Sequence, residues 1–378
     1  MRGAMMFRFR FTIMMLLGLL TLLIVPYVGA CGGLFCQNIP VDQQAERIIF
    51  TINDDDTVTA YVQINYTGSA HDFSWVVPLP AVPEVDVAEI ASFDELSNFT
   101  QPMFIPPLMP ECAPIPVPMT ALSAAAESEF DDAGVEVLAQ GTAGPFAFDV
   151  VRSDDPNALI TWLRTNSYVI TEQMEPLVRV YTDEGQVFLA MKLQPESGVQ
   201  DIQPVKMTYA AENPVIPIRL TAVAANPNMS VLTWIFADAQ AVPLNYAHPT
   251  IDERNLRSDF STFGGTNYLS LVDQTVDLYD GRAFITEYAQ TTTDFLINWR
   301  PSDPLVVELS REFDYMTRLF GRISPEEMTV DPVFTLDGDM PDVSNVRDLS
   351  GLDPEVFWNC DNTPIDIRFD PSALPSNR

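Results

Sequence analysis

Between Phe99 and Pro118, seven of twenty residues are proline. Proline fixes φ and removes a backbone donor, so no helix interior and no central strand can run through this stretch. The segment therefore reads as an extended crossover or lid, with Cys112, Met103 and Met109 inside it. A break between two subdomains, if the chain has one, falls here, near residues 99–134.

Strand patterns lie before the crossover. "AERIIFTI" and "TVTAYVQINYT" flank Asp54-Asp55-Asp56, so Ala45 to Tyr66 reads as a hairpin. "HDFSWVVPLP" adds a third strand, which Pro78 and Pro80 confine to an edge or stop. Trp75, within that apolar run, reads as core. After the crossover, helices announce themselves by their caps. Asp155-Pro156 fits an N-cap and first helical position, with Leu159, Ile160 and Leu163 on one face. Met174, Leu177, Val178 and Tyr181 repeat the helical spacing, and Gly185 fits the left-handed stop. "QVFLAMKL" then reads as a strand, and "QPVKMTY", "PIRLTAVAA" and "MSVLTWIFA" as buried strands of a second sheet region. A long helix is expected from Asp303-Pro304 to Phe320, with the stripe Leu305, Leu309, Phe313, Met316 and Phe320 and a stop at Gly321. Runs of strands with helices between them predict an α+β fold of mostly antiparallel sheets, a few packed helices and long Pro-rich connections. From residue 336 to 378 the chain turns acidic and irregular. It reads as a strap across the body, pinned by Phe357, Trp358 and Cys360.

The N-terminus sets the compartment. Arg2, Arg8 and Arg10 precede the uncharged run Phe11 to Val25, and Val28-Gly29-Ala30 supplies small residues for cleavage. An uncharged, mainly apolar run of fifteen residues is short of the roughly 20 needed to span a bilayer, so residues 1–30 read as a secretory signal peptide. No later window offers a membrane span. The mature chain is expected outside the cytoplasm, secreted or at the cell surface, with lipid anchoring at Cys31 or retention by an uncleaved signal as rivals. In an oxidising setting Cys31, Cys36, Cys112 and Cys360 read as a disulfide framework, and their connectivity stays open. No C-x-x-C is present, and only His71 and His248 could join a cysteine metal site.

The opening of the mature chain, "CGGLFCQNIPVDQQAERIIF", and the later "FSWVVPLPAVPEVDVAE" resemble the bacterial family called domain of unknown function 2330. Further matching stretches are "FDVVRSDDPNALITWLRTNSYVI", "QPVKMTYAAENPVIPIRLTAVAA", "FITEYA" and "YMTRLFGRISPEEMTVDPVF". Together they span residues 31 to about 335, so that region is expected to be the family domain. The resemblance implies an exported bacterial protein and carries no catalytic or binding residue with it.

The formal charge is −32, and about −35 once Arg2, Arg8 and Arg10 leave with the leader. A field of that sign repels nucleic acid and anionic lipid. The chain has no G-x-S-x-G, H-E-x-x-H, P-loop or G-x-G-x-x-G pattern. His71 and His248 both sit in loop-like contexts and are expected at the surface. Asp337, Asp339 and Asp342 are weak calcium candidates, since that ion favours several oxygen ligands. Their spacing does not match an EF-hand loop, and no other cofactor is implied. The expected function is a non-catalytic envelope or secreted protein that binds an extracytoplasmic macromolecule or serves a structural role. A calcium-stabilised module and a carboxylate-dependent hydrolase are the alternatives.

Overall fold

The first hairpin forms where two apolar, β-branched runs flank three aspartates. The strands β1 (Ala45–Ile52) and β2 (Thr57–Gln63) pair antiparallel, and Asp56 takes the left-handed conformation at the turn, φ 59°. The computed structural model describes residues 45–360 except 65, 67–69, 112–135, 169, 224, 260, 261, 263 and 264. The leader, Cys31, Cys36, Cys112 and residues 361–378 lie outside the described residues.

Along the chain there follow β3 (Ser74–Leu79), β4 (Glu84–Val87), α1 (Ile90–Thr100), β5 (Met103–Ile105), β6 (Glu136–Ala143) and β7 (Phe146–Arg152). Next come α2 (Pro156–Thr165), α3 (Glu175–Asp183), β8 (Val187–Leu193), β9 (Val205–Ala210), α4 (Ile218–Thr221) and β10 (Met229–Ala237). The remainder comprises β11 (Ala241–Pro243), α5 (Tyr268–Asp277), β12 (Ile285–Thr291), α6 (Thr292–Trp299) and α7 (Pro304–Glu312). The chain then forms β13 (Tyr315–Ile323), β14 (Phe334–Leu336), β15 (Val346–Asp348) and α8 (Pro354–Phe357). This is an α+β protein in which sheets dominate.

A seven-stranded sheet has the order β12-β13-β10-β1-β2-β9-β4, antiparallel except where β1 runs parallel to β10. A four-stranded antiparallel sheet has the order β3-β8-β7-β6. Period-2 alternation gives the smaller sheet two buried faces. Trp75, Val77, Leu189 and Met191 pack into the main core with Ile48, Phe50 and Met207 of the larger sheet. Val76, Phe188 and Ala190 point the other way, onto Leu159, Leu163, Val178 and Tyr181 of α2 and α3. The layers are therefore sheet, sheet and helix pair. Trp75 is core, at 5% exposure. Pro78 is tolerated because β3 is an edge strand bonded only to β8.

Both capped helices form. Asp155 Oδ1 accepts from the Asn157 amide at 2.9 Å, and Gly185 takes φ +76° behind α3. Three expectations need correction. The stripe from Pro304 to Phe320 is not one helix: α7 ends at Glu312, and β13 runs between β10 and β12. Met316 and Phe320 fit period 2 as well as period 4, and the sheet's open position decides between them. Gly321 is not a helix stop. It lies inside β13, where an added Cβ would meet the Ala283 carbonyl oxygen at 3.0 Å. Second, "PIRLTAVAA" forms no strand. Pro217 is the N-cap of α4 instead, and α4 is held by Arg219, whose guanidinium reaches Glu184 and Asp331 at 2.7 Å each. Third, β9 and β10 join the same sheet as the first hairpin, so they build no second sheet region.

Of the tail, the described residues 337–360 cross the body as a strap. Asn345 Nδ2 donates to the carbonyls of Phe99 and Gln101 at 3.0 Å each. β15 then pairs in parallel with β5, inside the Pro-rich stretch. Phe357 and Trp358 are buried, and Trp358 Nε1 donates to the Pro107 carbonyl at 3.1 Å. Among the described residues, no helix is long and apolar enough to cross a membrane.

Candidate functional site

Where the strap leaves the sheet it roofs a cleft. The Asp337 amide donates to the Gln240 carbonyl at 2.8 Å, turning the chain away after β14. Met340, Pro341, Val343 and Arg347 then face the loop His248–Leu256, with Phe104, Tyr268, Ile285 and Thr286 completing the walls. The enclosed volume is about 180 Å³.

The floor is built by a β-bulge. The β12–β13 register shifts between Thr286 and Tyr288, so Glu287 is an extra residue opposite the partner strand. Thr286 meets the cleft while Glu287 turns into the core. There the Glu287 carboxylate pairs with Arg318 at 2.6 Å, the two side chains being 2% and 8% exposed. The Tyr268 hydroxyl donates to the same carboxylate at 2.7 Å. Arg318 also donates to Thr100 Oγ1 at 3.2 Å and lies over the Trp234 ring at 5.5 Å. Burial, with Glu287 beside it, drives the Tyr268 pKa well above its usual value, so the phenol stays a donor. This ion pair joins α1, β12, β13 and α5. Arg347 of the strap donates to the Glu287 carbonyl at 3.4 Å and sits 3.7 Å from Glu253 at the cleft wall.

Two polar groups in the walls matter chemically. His248 Nε2 and Thr286 Oγ1 are 2.7 Å apart. Burial lowers the imidazole pKa, partly offset by the field of Asp337. His248 is thus half-buried in a cleft wall and not the surface residue expected; His71 is exposed. Gln240 is 2% exposed, and neither carboxamide atom has a partner.

The three aspartates singled out in sequence do not converge. Asp337 Oδ1 accepts from the Asp339 amide at 3.0 Å, while Asp342 Oδ1 accepts from Tyr315 at 2.6 Å. Among the described residues, no three His, Cys, Asp or Glu side chains gather where an ion could sit. Of the four cysteines only Cys360 is described, packed against the buried cluster that includes Leu349, Phe357 and Trp358.

A second feature lies between the two large sheets. Glu46 shares a β1 face with Ile48 and Phe50, a row that otherwise fills the core. The cavity there is small, about 40 Å³, with Trp75, Met207 and Tyr209 in its walls. Glu46 Oε2 is buried without a partner, and burial, helped by Asp331, pushes the carboxyl pKa up to about 7. Glu46 was not singled out in sequence, although an acid in a core-facing row of β1 is the signal that could have marked it. Gln240, Thr286 and the Glu287–Arg318 pair left no such signal.

The sequence model of an uncharacterised protein family conserved in bacteria, DUF2330, matches residues 25–335. The chain belongs to the DUF2330 family. No curated protein and no solved structure matches it. The match ends inside β14, so the cleft has a mixed origin. Its floor and the His248 loop fall within the DUF2330 region, whereas Met340, Pro341, Val343 and Arg347 come from beyond it.

Proposed function

We propose that this chain is an exported, non-catalytic binding protein of the bacterial envelope or exterior, with its ligand seated under the strap. The observation that carries the reading is the cleft itself: about 180 Å³ of space, apolar walls and a few convergent polar groups. An apolar cavity of about 150 Å³ is enough to hold benzene, so the space suits a compact group. The basic start, apolar run and small-residue ending of residues 1–30 support export. His248 has Thr286 as its hydrogen-bond partner and only the field of Asp337 on it, which favours a binding wall over a nucleophile–base–carboxylate arrangement.

A fragment screen by ligand-observed NMR on the full mature chain tests the binding half. Hits should compete with one another and should be lost in Thr250→Phe, a substitution at the exposed rim of the cleft. A screen whose hits all ignore that substitution refutes the reading. Cell fractionation tests the export half, and protein confined to the cytoplasm would refute that.

A further inference from the structure

We propose that the cleft takes a small zwitterion, an α-amino acid with a compact aliphatic side chain, its ammonium on Glu253 and its carboxylate on Arg347. The proposal rests on the reading of the cleft as a ligand site and adds the chemistry it selects.

Two opposite charges line the cleft and stay within reach of a ligand. Arg347 Nη1 and Glu253 Oε1 are 3.7 Å apart, and their side chains are 26% and 40% exposed. At that distance the two charges attract without a hydrogen bond, so the pair holds weakly. The guanidinium stands inside the cleft: Nη2 reaches the Glu287 carbonyl of the floor at 3.4 Å, and its charge acts on the Tyr268 phenol in the wall. A guanidinium carries five donors in a fork that matches a carboxylate, and two long contacts leave most of that capacity unspent. In an α-amino acid the ammonium and the carboxylate hang on one carbon, so the ligand offers the same pair of charges as the wall. Laid alongside with the signs reversed, it completes an alternating ring of four charges. A cation alone would be repelled by Arg347, and an anion alone by Glu253. Burial keeps His248 neutral near pH 7, so the imidazole does not tip this balance. Phe104, Ile285, Met340 and Val343 supply the apolar enclosure for the side chain. Glu253 lies within the DUF2330 match and Arg347 beyond it, so the ligand bridges the family domain and the strap.

The experiment titrates leucine, leucinamide and 4-methylpentanoate into the full mature chain, read by calorimetry and by protein NMR. The second probe keeps only the ammonium and the third only the carboxylate. Leucine should bind about tenfold or more tightly than either, since each charge-assisted contact it adds is lost in one analogue. Within Arg347→Met, leucinamide should bind at least as well as leucine. Within Glu253→Gln, 4-methylpentanoate should do so. Each comparison is internal to one protein, and melting curves check that both variants fold; if either fails to fold, the order of the three probes on the parent decides. Binding of leucinamide or 4-methylpentanoate by the parent as tight as that of leucine, or preferences that survive both substitutions, overturns the zwitterion assignment. Silence of all three probes while fragment hits are lost in Thr250→Phe also overturns it and leaves the cleft standing. Absence of any binding that responds to Thr250→Phe removes the cleft reading itself.

Discussion

Replacing Glu46 by Gln should make the protein more stable in alkali and leave it nearly unchanged in acid. The native carboxyl holds its proton up to about pH 7, because ionisation would place a charge in the cavity between the sheets with Oε2 unpaired. In the unfolded chain the same group ionises near its ordinary value of 4.5. The native state therefore binds the proton more tightly. Its contribution is complete below pH 4.5, declines from there to pH 7, and is lost above. At about 1.4 kcal/mol for each tenfold difference in proton affinity, the two values correspond to at most roughly 3.5 kcal/mol. Glu46→Gln cannot ionise, so it escapes that loss while keeping nearly the same shape. Urea unfolding of the parent and the variant at pH 5 and pH 8 measures it. The variant should gain roughly 3 kcal/mol over the parent at pH 8 and under about 1 kcal/mol at pH 5. An equal gap at both pH values, or a variant less stable at pH 8, would refute the argument that the half-buried Glu46 carboxyl keeps Oε2 in the cavity without a partner.

Further outcomes follow from other parts of the molecule. Arg318→Met should cost about 3 to 5 kcal/mol by leaving the buried Glu287 carboxylate without its guanidinium partner, and adding Glu287→Met should recover much of it; chemical denaturation of the single and double variants measures both. Millimolar calcium is expected to raise the melting temperature more than sodium at matched ionic strength, because a chain of formal charge −32 repels itself; equal shifts would mean screening alone. Non-reducing peptide mapping is expected to join Cys112 to Cys360, because Trp358 already docks on Pro107; a Cys31 peptide joined to either one refutes that pairing. In the chain-entropy account, a bridge closing so long a loop contributes about 4 to 5 kcal/mol. Intact mass of the exported protein should correspond to a chain starting at Cys31, and a species that keeps residues 1–30 would identify the leader as an anchor.

Much of the framework is written in local grammar. The hairpin at Asp54-Asp55-Asp56, the Asp155-Pro156 cap and the Gly185 stop each depend on a few neighbouring residues, so the chain states them on its own. The edge position of β3 is legible for the same reason: Pro78 lacks a donor wherever the strand is placed. The segment from Pro304 to Ile323 shows where local reasoning ends. Its apolar residues satisfy two periods at once, and β13 becomes a strand because the place between β10 and β12 pairs it with β10 over its whole length and with β12 from Tyr315 to Phe320. The cleft is further still from local signals. Gln240, His248, Thr286 and Val343 carry no shared motif and meet only because a bulge at Glu287 and a strap pinned by Asn345 and Trp358 bring distant segments together. Short-range preferences are written in adjacent residues, whereas the volume and polarity of a cavity are properties of what the folded layers leave unfilled.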